Sequence, residues 1–93
     1  MKSQTRVVLT KFAEKQLVKI PRNIKEVLMY WAETVEKIGI RDTRKLRGYH
    51  DELLKGNRQG QRSVRLNKAY RAIYIETCEC IEICVIEVSK HEY

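Results

Sequence analysis

Most side chains that could do chemistry lie in a basic segment between Glu52 and Tyr74 and in the final residues of the chain. Cleaving RNA by its own 2′-hydroxyl requires a base, cations that stabilise the phosphorane, and an acid for the leaving 5′ oxygen. The candidates for these tasks are Glu52, Lys55, Arg58, Arg62, Arg65, Arg71, His91 and Tyr93. Arginine suits phosphate because its planar fork donates two parallel hydrogen bonds and never loses its charge. The set therefore favours phosphate chemistry on RNA over conversion of a small metabolite.

Each of these assignments has a structural alternative that the sequence leaves open. Arg65 and Arg71 could be ordinary cations on an exposed sheet face, and Lys55 an ordinary loop lysine. Glu52 could serve only as the counter-ion of a neighbouring arginine, and the tail could be idle. His50 has no evident partner, so we interpret it as structural or idle.

The loop between two predicted strands, 62–66 and 70–76, decides what the arginines do. A three-residue loop, 67–69, would place Arg65 opposite Arg71 on the side of the sheet away from the helices. A two-residue loop would bury one of the two, and burying an unpaired arginine is costly. We therefore predict the three-residue loop. Two cations that face each other repel, which a protein tolerates best where an anion binds.

Two helices are expected before this segment. Thr10 is a suitable N-cap for a helix over residues 11–19. Pro21 suits the first turn of a second helix, and Gly39 is positioned to end it. Between them, apolar residues recur every three or four positions, which predicts one buried face: Ile24, Val27, Leu28, Trp31, Val35 and Ile38.

The remaining predicted elements complete an α+β domain. Residues 6–9 are a short β-branched strand, residues 41–50 a short helix or loop, and residues 52–54 a brief extended piece before a turn. Residues 81–88 are apolar enough for a central strand. We expect an N-terminal strand and two helices packed on one face of a small antiparallel twisted sheet, with the other face open.

Composition limits the class of protein. The 93 residues are expected to form a single domain, 1–93, with a net charge of +7. Residues 41–71 carry ten Lys/Arg and three Asp/Glu, whereas residues 72–93 carry one and five. A cationic segment of this kind attracts phosphate backbones, although it could also be a solvated face. No apolar run approaches the ~20 residues of a membrane span, and no signal peptide is evident.

Three cysteines close together, Cys78, Cys80 and Cys84, do not suggest a disulfide framework. Their spacing on a strand lacks the fourth ligand and the turn that a metal site needs. We interpret them as small buried hydrophobes. Their reduced state would fit the cytoplasm.

The segment ELLKGNRQGQRSVRLNKAYRAIYI resembles the central segment of bacterial type II toxins of the RelE/ParE superfamily. The resemblance extends to the expected order of elements and to the His/Tyr tail, and it is strongest for the RelE, YoeB and HigB toxins. It implies a ribosome-dependent mRNA endonuclease that uses no metal or other cofactor. It also implies a cognate antitoxin protein as partner, besides mRNA and the ribosome.

The resemblance assigns roles to individual residues. Glu52 matches the proposed general base of a Glu-Pro-Leu-Lys turn, with Leu53 in place of the proline, and Lys55 matches the turn lysine that contacts RNA. The strand arginines Arg65 and Arg71 match phosphate clamps. The tail, His91-Glu92-Tyr93, matches a His-Tyr pair with one residue inserted. Two further cations, Arg58 and Arg62, are expected to bind RNA or phosphate.

Two other functions remain open at this point. The first is a ParE-like toxin that inhibits DNA gyrase without cutting RNA. The second is a small RNA-binding or ribosome-associated module with no activity, which would bind RNA in a salt-dependent way.

Overall fold

The computed structural model describes residues 5–77 and 82–90. Three helices and a five-stranded sheet with the order β1-β5-β4-β3-β2 make up this part of the chain. The helices are α1 (Lys11–Val18), α2 (Arg22–Ile38) and α3 (Ile40–Arg44); the strands are β1 (Arg6–Leu9), β2 (Glu52–Leu53), β3 (Arg62–Arg65), β4 (Tyr70–Glu76) and β5 (Glu82–Lys90). Among the described residues, none of the helices is both long enough and apolar enough to cross a membrane.

The helix ends follow the chemistry of the residues beside them. The Thr10 hydroxyl accepts a hydrogen bond from the Ala13 amide at 3.1 Å, as expected for the N-cap of α1. Pro21 directly precedes α2, and Gly39 ends it with a φ of 88°, a conformation that favours glycine. Between these limits Trp31 is completely buried, as expected for the centre of the apolar face.

The sheet combines an antiparallel meander with one parallel pair. β2, β3, β4 and β5 pair antiparallel in sequence order, as predicted. β1 pairs parallel with β5, so the sheet as a whole is mixed. A parallel pair needs a long crossover connection, and here α1, α2 and the meander lie between the two strands.

The register of the hairpin is the predicted one. Arg65 lies opposite Arg71, and the Leu66 amide donates to the Tyr70 carbonyl at 2.9 Å across a three-residue loop. The Asn67 side chain accepts a hydrogen bond from the Tyr70 amide at 2.8 Å, which holds the loop in shape. The loop length thus places both arginines on one side of the sheet.

The main core lies between the helices and one face of the sheet. Its buried members are Ala13, Ile20, Ile24, Leu28, Trp31, Val35, Ile40, Val64, Leu66, Ala72, Tyr74, Ile83, Val85 and Val88. The opposite face was expected to be open, and this is wrong for part of it, because Ser63 is 3% and Ile73 1% exposed. Ile73 pairs with Glu87, and an ion pair of 2.7 Å ties Glu87 to Arg58 in the β2–β3 connection. This connection therefore lies against the second face.

Candidate functional site

A concave pocket of about 70 Å³ lies on the second face of the sheet, beside the β3–β4 loop. It brings Glu52, Arg65 and Arg71 together, three residues that the sequence analysis selected as catalytic. The full lining is His50, Glu52, Ser63, Arg65, Asn67, Lys68, Tyr70 and Arg71. The two arginines come together because the three-residue loop places both of them on the same face of the sheet.

Strand pairing fixes the position of the carboxylate. Glu52 lies opposite Ser63, and alternate residues of β3 share a face, so Glu52, Ser63 and Arg65 lie on one side. Arg71 joins them because it is the cross-strand partner of Arg65. Three adjacent strands therefore each contribute one charged side chain to the pocket.

The two pocket arginines carry charge that the described residues do not neutralise. Within residues 5–77 and 82–90, Arg65 and Arg71 form no ion pair, even though Glu52 lines the same pocket. The Arg71 Nε atom is buried and has no hydrogen-bond partner among the described residues. Buried donors in proteins are nearly always paired. Arg65 is exposed and Arg71 half-buried, so an oxyanion in the pocket would meet the accessible parts of the two guanidinium groups.

The structure places the other predicted cations away from this pocket's lining. Arg62 shares a face with the buried Val64, and its Nε donates to Asp51 at 2.6 Å. Arg58 pairs with Glu87 at the second face, and Lys55 is exposed in the β2–β3 connection. We therefore leave Arg58 and Arg62 out of the site, since each already has a carboxylate partner.

The carboxylate of Asp51 is the centre of a buried polar network that the sequence analysis missed. Its side chain is only 2% exposed and accepts hydrogen bonds from Arg62 and from the Tyr74 hydroxyl. Arg44 donates to the same hydroxyl at 3.1 Å and pairs with Glu76. Burial raises the pKa of Tyr74 far above its usual range, and the hydrogen bond to Asp51 adds to this effect. The network therefore fixes Asp51, which lies in the chain between two residues of the pocket lining, His50 and Glu52.

His50 also lines the pocket, although the sequence suggested a structural or idle residue. It ends a short 3₁₀ turn, Arg47–Tyr49, with its amide donating to the Arg47 carbonyl at 3.1 Å. Its φ of 45° and ψ of 50° are left-handed, and among the described residues no other non-glycine has positive φ. The sequence did not predict that His50 lines the pocket, because His50 precedes the first strand that contributes to it.

The predicted catalytic tail, His91 and Tyr93, lies outside the described residues. The last residue of β5, Lys90, pairs with Tyr70, which lines the pocket. The strand that leads into the tail therefore ends next to the candidate site.

Metal ligation has no support in the described part of the chain. There, no three His, Cys, Asp or Glu side chains lie close enough together to hold an ion. Cys84 is half-buried on β5, where burial raises the pKa of its thiol. Cys78 and Cys80 lie outside the described residues.

Comparison with solved structures shows which proteins share this fold. The chain is similar to the toxin–antitoxin complex RelBE2 from Mycobacterium tuberculosis, with 21% identity, a TM-score of 0.70, and coverage of 95% of this chain and 99% of that chain. It is also similar to a YoeB/ParE toxin from Agrobacterium tumefaciens, with 18% identity and a TM-score of 0.73, over 95% of this chain and 100% of that chain. The archaeal RelE–RelB complex from Pyrococcus horikoshii is similar with 18% identity and a TM-score of 0.72, over 94% of each chain.

No protein-family model matches the sequence, and no curated protein matches it either. At the identities above, the structural likeness establishes the fold. The chain has the α+β fold of RelE-like toxins, as the sequence predicts.

Proposed function

We propose that this chain is the toxin of a bacterial type II toxin–antitoxin system and acts as a ribosome-dependent mRNA endonuclease. The observation that carries the proposal is the pocket in which Glu52 faces the sheet arginines Arg65 and Arg71, neither of which has a carboxylate partner among the described residues. A base beside a pair of unneutralised cations is what attack by a 2′-hydroxyl on its own phosphodiester requires. The fold adds support, because proteins named as toxins share it at nearly full length.

Each pocket residue has a distinct role in this reaction. Glu52 takes the proton from the 2′-hydroxyl, whose oxygen then attacks phosphorus. Arg65 and Arg71 donate hydrogen bonds to the phosphate oxygens, where negative charge grows in the transition state. His91 and Tyr93 are the sequence-based candidates for proton transfer from the tail. No metal or small-molecule cofactor enters this proposal.

The expected partners are a cognate antitoxin, messenger RNA and the ribosome, in the cytoplasm. One of the similar structures is a toxin–antitoxin complex by name, and another is named as a complex of RelE with RelB. The cationic surface around Lys68 and the two pocket arginines would attract an acidic antitoxin segment as well as RNA. An antitoxin that covers this pocket would block the reaction directly.

Arg71→Ala tests the proposal. After induction in a bacterial host, RNA ends are mapped and growth is followed for the unsubstituted chain, for Arg71→Ala and for Arg22→Ala. The matched control, Arg22, is an exposed arginine on α2 whose ion-pair partner among the described residues is Glu26. Losing one donor to the transition state costs about 10²–10³ in rate, so we expect Arg71→Ala to abolish new RNA ends and growth arrest. Cleavage by Arg71→Ala at the unsubstituted level would contradict the proposed site.

A gyrase inhibitor is the second candidate, because one similar structure bears the name YoeB/ParE. Supercoiling by purified gyrase distinguishes the two functions. Inhibited supercoiling together with intact messages would replace the nuclease assignment by this one.

A further inference from the structure

We infer that His50 is a catalytic residue of the pocket and donates the proton to the leaving 5′ oxygen. The inference rests on the proposed nuclease function and adds a group to its site. Its basis is a juxtaposition in the structure: His50 and Glu52 line the same pocket, while Asp51 between them is held on the opposite side.

The backbone at His50 is the first argument. A left-handed conformation is strained at a residue other than glycine, and glycine or asparagine would end the 3₁₀ turn with less strain. Nothing in the turn itself requires an imidazole, since only the His50 amide bonds to Arg47. The residue with this strained backbone is part of the pocket lining. Strain of this kind is concentrated at functional sites.

The anchoring of Asp51 is the second argument. Its carboxylate accepts hydrogen bonds from Arg62 and Tyr74, so the backbone on either side cannot rotate freely. His50 and Glu52 are thus held at fixed positions on the pocket wall. General acid–base catalysis depends on such positioning, because both groups must reach atoms of one phosphodiester.

One carboxylate and three cations line the pocket together with His50. Glu52 faces it from β2, Arg65 from β3, Lys68 from the β3–β4 loop and Arg71 from β4. A phosphodiester bound by the cations would have both the Glu52 carboxylate and the His50 residue beside it in the pocket. One of these groups would serve the attacking 2′ oxygen and the other the leaving 5′ oxygen.

The reaction balances with these two groups. The 2′-hydroxyl gives its proton to the Glu52 carboxylate, and the 2′ oxygen forms a bond to phosphorus. The bond from phosphorus to the 5′ oxygen breaks, and that oxygen keeps the electron pair and takes the proton from the His50 imidazolium. The products are a 2′,3′-cyclic phosphate and a 5′-hydroxyl. Proton exchange with water restores both side chains.

His50→Asn is the informative variant. Asparagine adopts the left-handed conformation readily, so it keeps the backbone while removing the titrating group. A urea midpoint of unfolding no lower than that of the unsubstituted chain verifies that the fold is kept. The matched variant is His91→Asn, because the chain contains two histidines.

The test measures single-turnover cleavage of mRNA on programmed ribosomes between about pH 5.5 and 9, across the range in which imidazoles titrate. We expect the unsubstituted chain to lose rate as pH rises, because the acid must be protonated. His50→Asn should be about 10²-fold slower or more at pH 6 and should lack this fall.

The outcomes separate the two proposals. Cleavage by His50→Asn at the normal rate with the normal pH profile would overturn the role of His50 and leave the nuclease function standing. A fall in rate that His91→Asn alone removes would likewise overturn the role of His50, because the titrating acid would then be in the tail. An unsubstituted chain that leaves mRNA intact on ribosomes would overturn both proposals together.

Discussion

Arginines of one segment have different environments because alternate strand residues point to opposite faces. Arg65 and Arg71 lie on the pocket side, whereas Arg62 points to the helix side and pairs with Asp51. The pairing costs Arg62 its availability to RNA, but it neutralises a carboxylate that is 2% exposed. The same basic segment therefore supplies both a binding surface and an internal anchor.

Asp51→Asn should destabilise the protein by about 2–4 kcal/mol, because it leaves the guanidinium groups of Arg62 and Arg44 without their buried anion. Asp42→Asn is the matched control, since Asp42 pairs with Lys45 at a site where its side chain is 61% exposed. We expect the control to change stability by less than about 0.5 kcal/mol. Urea unfolding measures both. Equal curves for the two variants would mean that the network adds nothing to stability.

At the residue scale, the contacts that could be predicted from the sequence are those that local chain geometry determines. The pairing of Arg65 with Arg71 follows from loop length and the cost of burial, and the structure confirms it. The partner of Arg62 could not be predicted in the same way, because Asp51 is a residue of the preceding turn whose burial depends on tertiary packing. The position of His50 in the pocket was not predicted for a related reason, since the pocket forms only when the strands pair.

At the scale of elements, α2 and its end show how strongly a few residues constrain the fold. Its apolar period predicted most of the buried face, with Trp31 at the centre, but Ile38 at the end of that face is 47% exposed. The parallel pairing of β1 with β5 was not predicted, because no local pattern specifies which strand a distant segment joins. Gly39 then turns the chain from α2 directly into α3.

Gly39→Ala should destabilise the protein by about 1–3 kcal/mol, because its φ of 88° and ψ of 161° are nearly restricted to glycine. Steric contact is not the cause, since a Cβ there would meet nothing within 4 Å. Gly48→Ala is the matched control, with equal space and no positive φ. It should be neutral, or stabilising by up to about 1 kcal/mol. If thermal or urea unfolding ranked the two variants in the opposite order, backbone strain at Gly39 would be disproved.

For the whole molecule, the distribution of charge matters more than its total. Part of the basic segment is neutralised internally, because Arg44, Lys45, Arg58 and Arg62 form ion pairs with described carboxylates. The pocket lining keeps three cations, Arg65, Lys68 and Arg71, beside a single carboxylate. We therefore expect the electrostatic attraction for RNA to be concentrated at this end of the sheet.

Salt dependence of binding tests this distribution. For a short single-stranded RNA, each lost phosphate contact should reduce the slope of log K against log salt by about 0.7. Arg65→Gln should show this reduction, and Arg22→Gln, at an exposed position of α2, should not. Fluorescence anisotropy between about 50 and 200 mM salt measures the slopes. Similar slopes for both variants would show that RNA is attracted by the net charge rather than by the pocket.

Strands of this sheet pair in an order that differs from their order of synthesis. Of the described elements β1 is made first, yet its neighbour in the sheet is β5, the last of them along the chain. β5 also supplies Ser89, the residue that pairs with Arg71. A nascent chain that stops before residue 82 thus has a first strand without its partner in the sheet and an Arg71 without Ser89 beside it. A cell making this protein meets the finished surface only when synthesis has passed β5.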